Sequence, residues 1–113
     1  MGPHVKQRQL RQRDDLTTQA TWRTVQARMF AAQGAHQEAE RLARESVTLF
    51  EPTDCLHDRT DTLLGLADVL SLAGRPADAI PALEQANRLA TLKGDMVTAR
   101  RAQAARNQAL EHA

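Results

Sequence analysis

The chain has 113 residues, of which 42% are hydrophobic, 26% charged and only 3% aromatic, and its formal net charge is +1. These values fit one ordinary globular domain built on Leu, Ala and Val rather than on the β-branched and aromatic residues that strands favour, and they give no electrostatic argument for nucleic acid or an acidic membrane surface. The single cysteine, Cys55, excludes an internal disulfide and a thiolate zinc site; with no apolar run near the roughly 20 residues that span a bilayer and no signal-like N-terminus, a cytoplasmic location is expected.

Met1-Gly2-Pro3-His4 resembles an expression-tag remnant. Residues 5–13 are polar: Lys6, Arg8, Arg11 and Arg13 stand among glutamines, and only Val5 and Leu10 have anything to bury. Arg and Gln are good helix formers, so this stretch reads as a tag or the remnant of an upstream helix. The chain is therefore divided into a polar N-terminal segment, 1–13, and a helical domain, 14–113.

A first helix is expected from about Thr17 to Gln33, with Trp22, Val25, Met29 and Phe30 as its buried stripe and Ala27 and Ala32 beside them. Asp14 and Asp15 stand before it as N-cap or first-turn acids, and Gly34 ends it in a positive-φ conformation. The second helix runs from about His36 to Phe50, turns Ala39, Leu42, Ala43, Val47 and Leu49 inward, and stops at Pro52. Thr53 or Asp54 caps a third, reaching about Ala73 and burying Leu56, Leu63, Leu66, Ala67 and Leu70; Leu64 and Leu72 widen its apolar sector, as in a helix touched on two sides.

Gly74 terminates that helix and Pro76 opens a fourth, which extends to about Leu92 and packs through Ala79, Ile80, Leu83, Ala86 and Leu89. Pro81 removes the bond to the Ala77 carbonyl, so a bend is expected there. Lys93-Gly94-Asp95 closes this helix and opens a fifth, whose stripe is thin: Met96, Ala99, Ala102, Ala105 and Ala109, with Arg100, Arg101 and Arg106 on its other sides. It reads as a capping helix with a wet outer face.

Two stretches of the chain say nearly the same thing. Ala27, Phe30, Gly34, Ala39 and Leu49 are matched by Ala67, Leu70, Gly74, Ala79 and Leu89, each pair 40 residues apart. A fixed period of this size in a helical sequence marks stacked helix-turn-helix units, which bury their apolar faces only against one another. The expected fold is all-α: antiparallel helix hairpins, about two units, with a C-terminal capping helix.

The second unit resembles the tetratricopeptide repeat. Leu63-x2-Leu66-Ala67-x2-Leu70 sits on its first helix and Ala79-x3-Leu83-x2-Ala86 on its second. The first unit is similar but degenerate: Gln26 stands in place of a large apolar residue, and Ala43 and Ser46 replace Leu83 and Ala86, with Leu42 and Trp22 as candidates to restore the lost volume. The stretches Leu70 to Arg75 and Lys93 to Asp95 are also similar to repeat arrays at the C-terminal ends of large bacterial signalling proteins. That resemblance implies a piece of a regulator that carries ATPase, nucleotide-cyclase or transcription-regulator modules elsewhere.

No catalytic constellation can be assembled. Cys55 and His57 are two apart, and such positions on a helix diverge. His4, His36, His57 and His112 are scattered without metal-ligand spacing. There is no Gly-rich phosphate loop and no nucleophile elbow. Asp54, Asp58 and Asp61 read as a solvated helix face, and the basic N-terminal run and Arg100, Arg101 and Arg106 lack the interleaved aromatics of a base-stacking surface. No enzyme activity, cofactor or metal is expected, and nucleic acid is disfavoured.

What remains is a groove. In tetratricopeptide arrays one wall is lined by the first helix of each unit, and the outward positions of those helices here are Thr24, Arg28, Asp61, Leu64, Asp68 and Ser71. The Lys/Asn clamp with which some members hold a terminal carboxylate is absent: the matching positions carry Thr24, Arg28, Leu64 and Asp68. The resemblance thus implies a non-catalytic protein or peptide-binding module. Self-association through uncovered ends, and nucleic-acid contact through residues 5–13, are the alternatives.

Overall fold

The computed structural model describes the backbone of residues 2–113 and the side chains of residues 15–113. Five helices follow one another: α1 (Gly2–Ala32), α2 (His36–Phe50), α3 (Leu56–Leu72), α4 (Pro76–Lys93) and α5 (Met96–His112). Short turns reverse the chain each time, so α1 packs on α2 and α3, α2 on α3, α3 on α4, and α4 on α5. No strand occurs among the described residues. The all-α stack of helix hairpins expected from the 40-residue period is what the chain forms.

The ends of α1, α3 and α4 share one device. Gly34, Gly74 and Gly94 have φ of 84°, 74° and 84°, a conformation that side chains resist. Each lets the following residue donate back into the last turn: Ala35 N to Phe30 O at 2.8 Å, Arg75 N to Leu70 O at 2.9 Å, Asp95 N to Ala90 O at 2.9 Å. These are the paired bonds that close a helix on a left-handed residue. The helix starts differ. Only Asp95 caps with its side chain, accepting from Thr98 N at 3.1 Å; α3 begins at Cys55 with no side-chain cap, not at Thr53 or Asp54, although Thr53 Oγ1 accepts from Cys55 N at 3.3 Å. The α4 helix runs unbroken from Pro76 to Lys93. Pro81 lies on its exposed side beside an exposed Ala77, so the carbonyl deprived of a donor is left to water.

The core is a continuous seam of small and medium residues, including Ala27, Ala31, Ala39, Leu42, Ala43, Leu63, Leu66, Ala67, Leu70, Ala79, Leu83, Ala86, Leu89 and Ala102. Alanines bring helix axes close, and leucines fill what the close approach leaves. The tightest point lies between α1 and α3. A Cβ placed on Gly65 would come within 3.1 Å of Thr24 Cγ2. Phe50 closes the base of α2 and is almost wholly buried.

Three expectations for the helices fail. First, α1 extends back to Gly2, so Asp14 and Asp15 lie inside a helix and do not cap one; the side chains of His4, Lys6, Arg8, Arg11, Arg13 and Asp14 lie outside those described. Second, the inward stripe of α1 is Ala20, Ala27 and Ala31, with Phe30 half-buried, whereas Trp22, Val25 and Met29 are 59%, 51% and 57% exposed. The helix turns its small side to its neighbours because only small residues permit the contact with α3 at Gly65. Trp22 therefore restores no core volume; the buried Leu42 is available to do so. Third, Leu72 and Met96 are exposed rather than packed.

Candidate partner-binding groove

Equivalent positions of α1, α3 and α5 lie 40 residues apart, so side chains in register line up across the three helices. One such row is Thr21, Asp61 and Arg101, and all three line a groove of about 350 Å³. Thr17, Val25 and Arg28 of α1 and Asp58 of α3 form its walls, and Ala20, Thr24, Thr62 and Leu64 contribute to its base.

Most of the anticipated residues meet here. Thr24 is half-buried and already engaged. Its hydroxyl donates to the Ala20 carbonyl at 2.8 Å and lies 3.3 Å from Ser46 Oγ, which donates to the same carbonyl at 3.1 Å. Thr24 thus ties α1 to α2. Leu64, anticipated as outward-looking, is only 9% exposed; it lines the groove while belonging to the core. Arg28 and Asp68 pair with each other at 3.0 Å across α1 and α3, each about half exposed. Asp61 faces His57 at 3.2 Å, one helical turn away on α3. Ser71 is set apart: it borders a second, shallower depression with Arg28, Asp68 and Leu72. Arg28 alone edges both.

Two groove residues were not singled out from the sequence. Asp58 was set aside as solvated face and Arg101 as the wet side of a closing helix. The signal for Arg101 was present, since the 40-residue period carries Thr21 and Asp61 onto it. Neither Asp58 nor Arg101 forms an ion pair with a described residue, so each offers an uncommitted charge to the groove. The remaining charges are locked elsewhere. Glu40 accepts from Arg44 and Arg75, and these hydrogen bonds hold its carboxyl below the usual range. Arg41 does the same for Glu38.

The groove binds without the means to react. Among the described residues no group of His, Cys, Asp or Glu can hold a metal ion, and no helix is long and apolar enough to cross a membrane. Cys55 is only partly exposed, away from the groove lining.

A stack of α-hairpins with a polar groove along its first helices defines a helical-repeat binding protein. Consistent with this, the family model described as Tetratricopeptide repeat matches residues 17–92, two thirds of the chain. The chain belongs to the tetratricopeptide repeat family, whose members are in general protein-interaction modules and not catalysts. Comparison with curated proteins and with solved structures found no match.

Proposed function

We propose that this chain is a non-catalytic protein-interaction module that holds a peptide or helix of a partner protein in the groove between α1, α3 and α5. The observation that carries the proposal is the row Thr21, Asp61 and Arg101, which brings three helices to one polar cleft. A ligand suited to it carries a basic residue for Asp58 and Asp61, and an acidic side chain or backbone carbonyl for Arg101. Arg28 and Asp68 act at the mouth by exchanging their mutual bond for bonds to the ligand, at little cost because an exposed pair is worth about 0–1 kcal/mol. Leu64 supplies apolar contact at the floor. The residues proposed to line the site are Thr24, Arg28, Asp61, Leu64, Asp68 and Ser71, joined by Asp58 and Arg101.

The setting we propose is a cytoplasmic regulatory arm of a bacterial signalling protein, supported by the likeness of the Leu70 to Arg75 and Lys93 to Asp95 stretches to such arrays. A library of immobilised helical peptides titrated with the full chain tests the groove. Binders are expected to lose affinity at least about tenfold, one lost charged contact, when Asp61→Lys is combined with Arg101→Glu. Unchanged binding in that variant and in Arg28→Ala with Asp68→Ala rejects the groove assignment.

A further inference from the structure

The face of α1 opposite the core is the strongest unexplained feature of the molecule. Trp22, Val25 and Met29 recur at three- and four-residue steps, so they form one line along the helix, and each is more than half exposed. This chain's own repeat says what such a line is for. On α5 the corresponding positions are Ala102 and Ala109, both buried; α5 packs chiefly on α4, and Arg106 between them reaches Glu84 of α4 at 3.5 Å. On α3 they are Thr62, Leu66 and Val69, again all buried, with Thr62 beside Val47 and Glu51 of α2. In both cases the covering element is the preceding second helix of a hairpin. On α1 the positions are Trp22, Gln26 and Met29, and no helix lies over them.

We infer that the Trp22–Met29 face of α1 docks one amphipathic helix supplied by a separate polypeptide, lying antiparallel to α1 as α4 lies on α5. The occupant's chemistry follows from the two helices that fill this place elsewhere. It presents alanine and leucine on the contacting side, because α2 and α4 bury Ala39, Leu42, Ala43 and Ala79, Leu83, Ala86. It needs no matching charge, because the face is flanked by Thr18, Gln26 and Gln33. The helix comes from another chain because the local turn that would deliver it is missing. Before α3 and before α5 the backbone turns at residues 51–55 and 94–95, whereas residues 11–15, in the same register, are helical. A second copy offers no such helix. Its α2 and α4 are each held between two neighbours, and the exposed side of its α5 carries Gln103 and Asn107.

Trp22 is the only tryptophan of the chain and lies at the centre of the face, so its own fluorescence reports occupancy. The full chain is titrated with a synthetic peptide of residues 76–93, the sequence that covers the corresponding face of α5 and contains no tryptophan. The expected result is a saturable shift of Trp22 emission to shorter wavelength. Met29→Asp, an exposed substitution whose fold is checked by circular dichroism, should weaken it about tenfold or more, since the variant sets a charge against an apolar surface. About 0.5 M NaCl, which screens surface charge pairs, should leave it nearly unchanged, as should Arg28→Ala with Asp68→Ala in the groove. Three results overturn the inference: no shift at millimolar peptide, a shift that survives Met29→Asp, or a shift produced by raising the chain's own concentration without peptide. The last assigns the face to a second copy.

Discussion

The two hairpins of this protein share a register and little else. In the α3–α4 unit every apolar line is covered, because helices lie on both sides of it. In the α1–α2 unit the line Trp22, Val25 and Met29 is open, and the inward work falls to Ala20, Ala27 and Ala31. A helix's place in the stack, more than its hydrophobicity, decides which of its faces is core. Paired substitutions 40 residues apart therefore measure position rather than residue type.

The largest contrast is expected between Leu70 and Phe30, which occupy the same place in the two units. Leu70 is 1% exposed, whereas Phe30 is only half-buried. Leu70→Ala should cost about 2–5 kcal/mol through lost transfer energy and an unfilled cavity. Phe30→Ala should cost about 1–2 kcal/mol despite removing more carbon, because part of the ring already meets water. Urea unfolding of the full chain gives both values, and equal costs would break the comparison.

Next comes Gly65, whose counterpart in the first unit is Val25. Alanine is about 1 kcal/mol better than glycine inside a helix, but at Gly65 the new Cβ would meet Thr24 Cγ2 at 3.1 Å. Thr24 is β-branched and tied by its hydroxyl to Ala20, so it yields poorly. Gly65→Ala should therefore destabilise slightly, by up to about 1 kcal/mol. In a Thr24→Ser background, which keeps the hydroxyl and deletes Cγ2, the same change should become stabilising. If Gly65→Ala stabilises the parent chain outright, α1 and α3 are not held in close contact there.

Much of this architecture was legible beforehand, for identifiable reasons. Glycine at 34, 74 and 94 punctuates because left-handed backbone is hard for any other residue, and the leucines of α3 and α4 recur at helical spacing. The inward face of α1 was misread because periodicity finds apolar residues, not covered ones. Trp22, Val25 and Met29 made a stronger stripe than Ala20, Ala27 and Ala31, yet the alanines are what allow α1 to approach α3. Gly65 escaped notice for the same reason: closeness is signalled by an absent side chain. Within the groove, Asp61 followed from the first two units, while Arg101 required carrying the period into α5.

The caps of α3 and α5 offer a smaller test, since Cys55 and Asp95 are also 40 residues apart. Asp95 accepts from Thr98 N and Thr98 Oγ1, at 3.1 and 2.6 Å, and these bonds hold its carboxyl below the ordinary range. Asp95→Ala should lower Tm by a few degrees. Cys55→Ser supplies the missing acceptor at the start of α3 and should raise stability by about 0.5–1 kcal/mol. A neutral Cys55→Ser would mean that Thr53, which already accepts from Cys55 N, satisfies this helix start by itself.

The smallest effect concerns Glu40, which stands where the second unit has Ile80. Its carboxylate takes hydrogen bonds from Arg44 and, across the turn before α4, from Arg75, and these are what lower its pKa. A carboxyl whose folded pKa lies below its unfolded one binds its proton more readily in the unfolded chain. Its contribution is therefore complete above the unfolded value of about 4.3 and disappears as pH falls through the depressed folded value. Glu40→Gln should reduce stability at pH 7 by less than about 1 kcal/mol, since the partners are largely solvated. The parent chain and the variant should converge below about pH 3, where the carboxylate has gone. The acid limb will not vanish in the variant, because Glu38 and Asp95 are depressed as well. Thermal melts of both chains across the acid range, with and without salt, would show whether this charged link between hairpins adds anything beyond the packing of α2 on α3; a constant offset at every pH would assign the loss to packing alone.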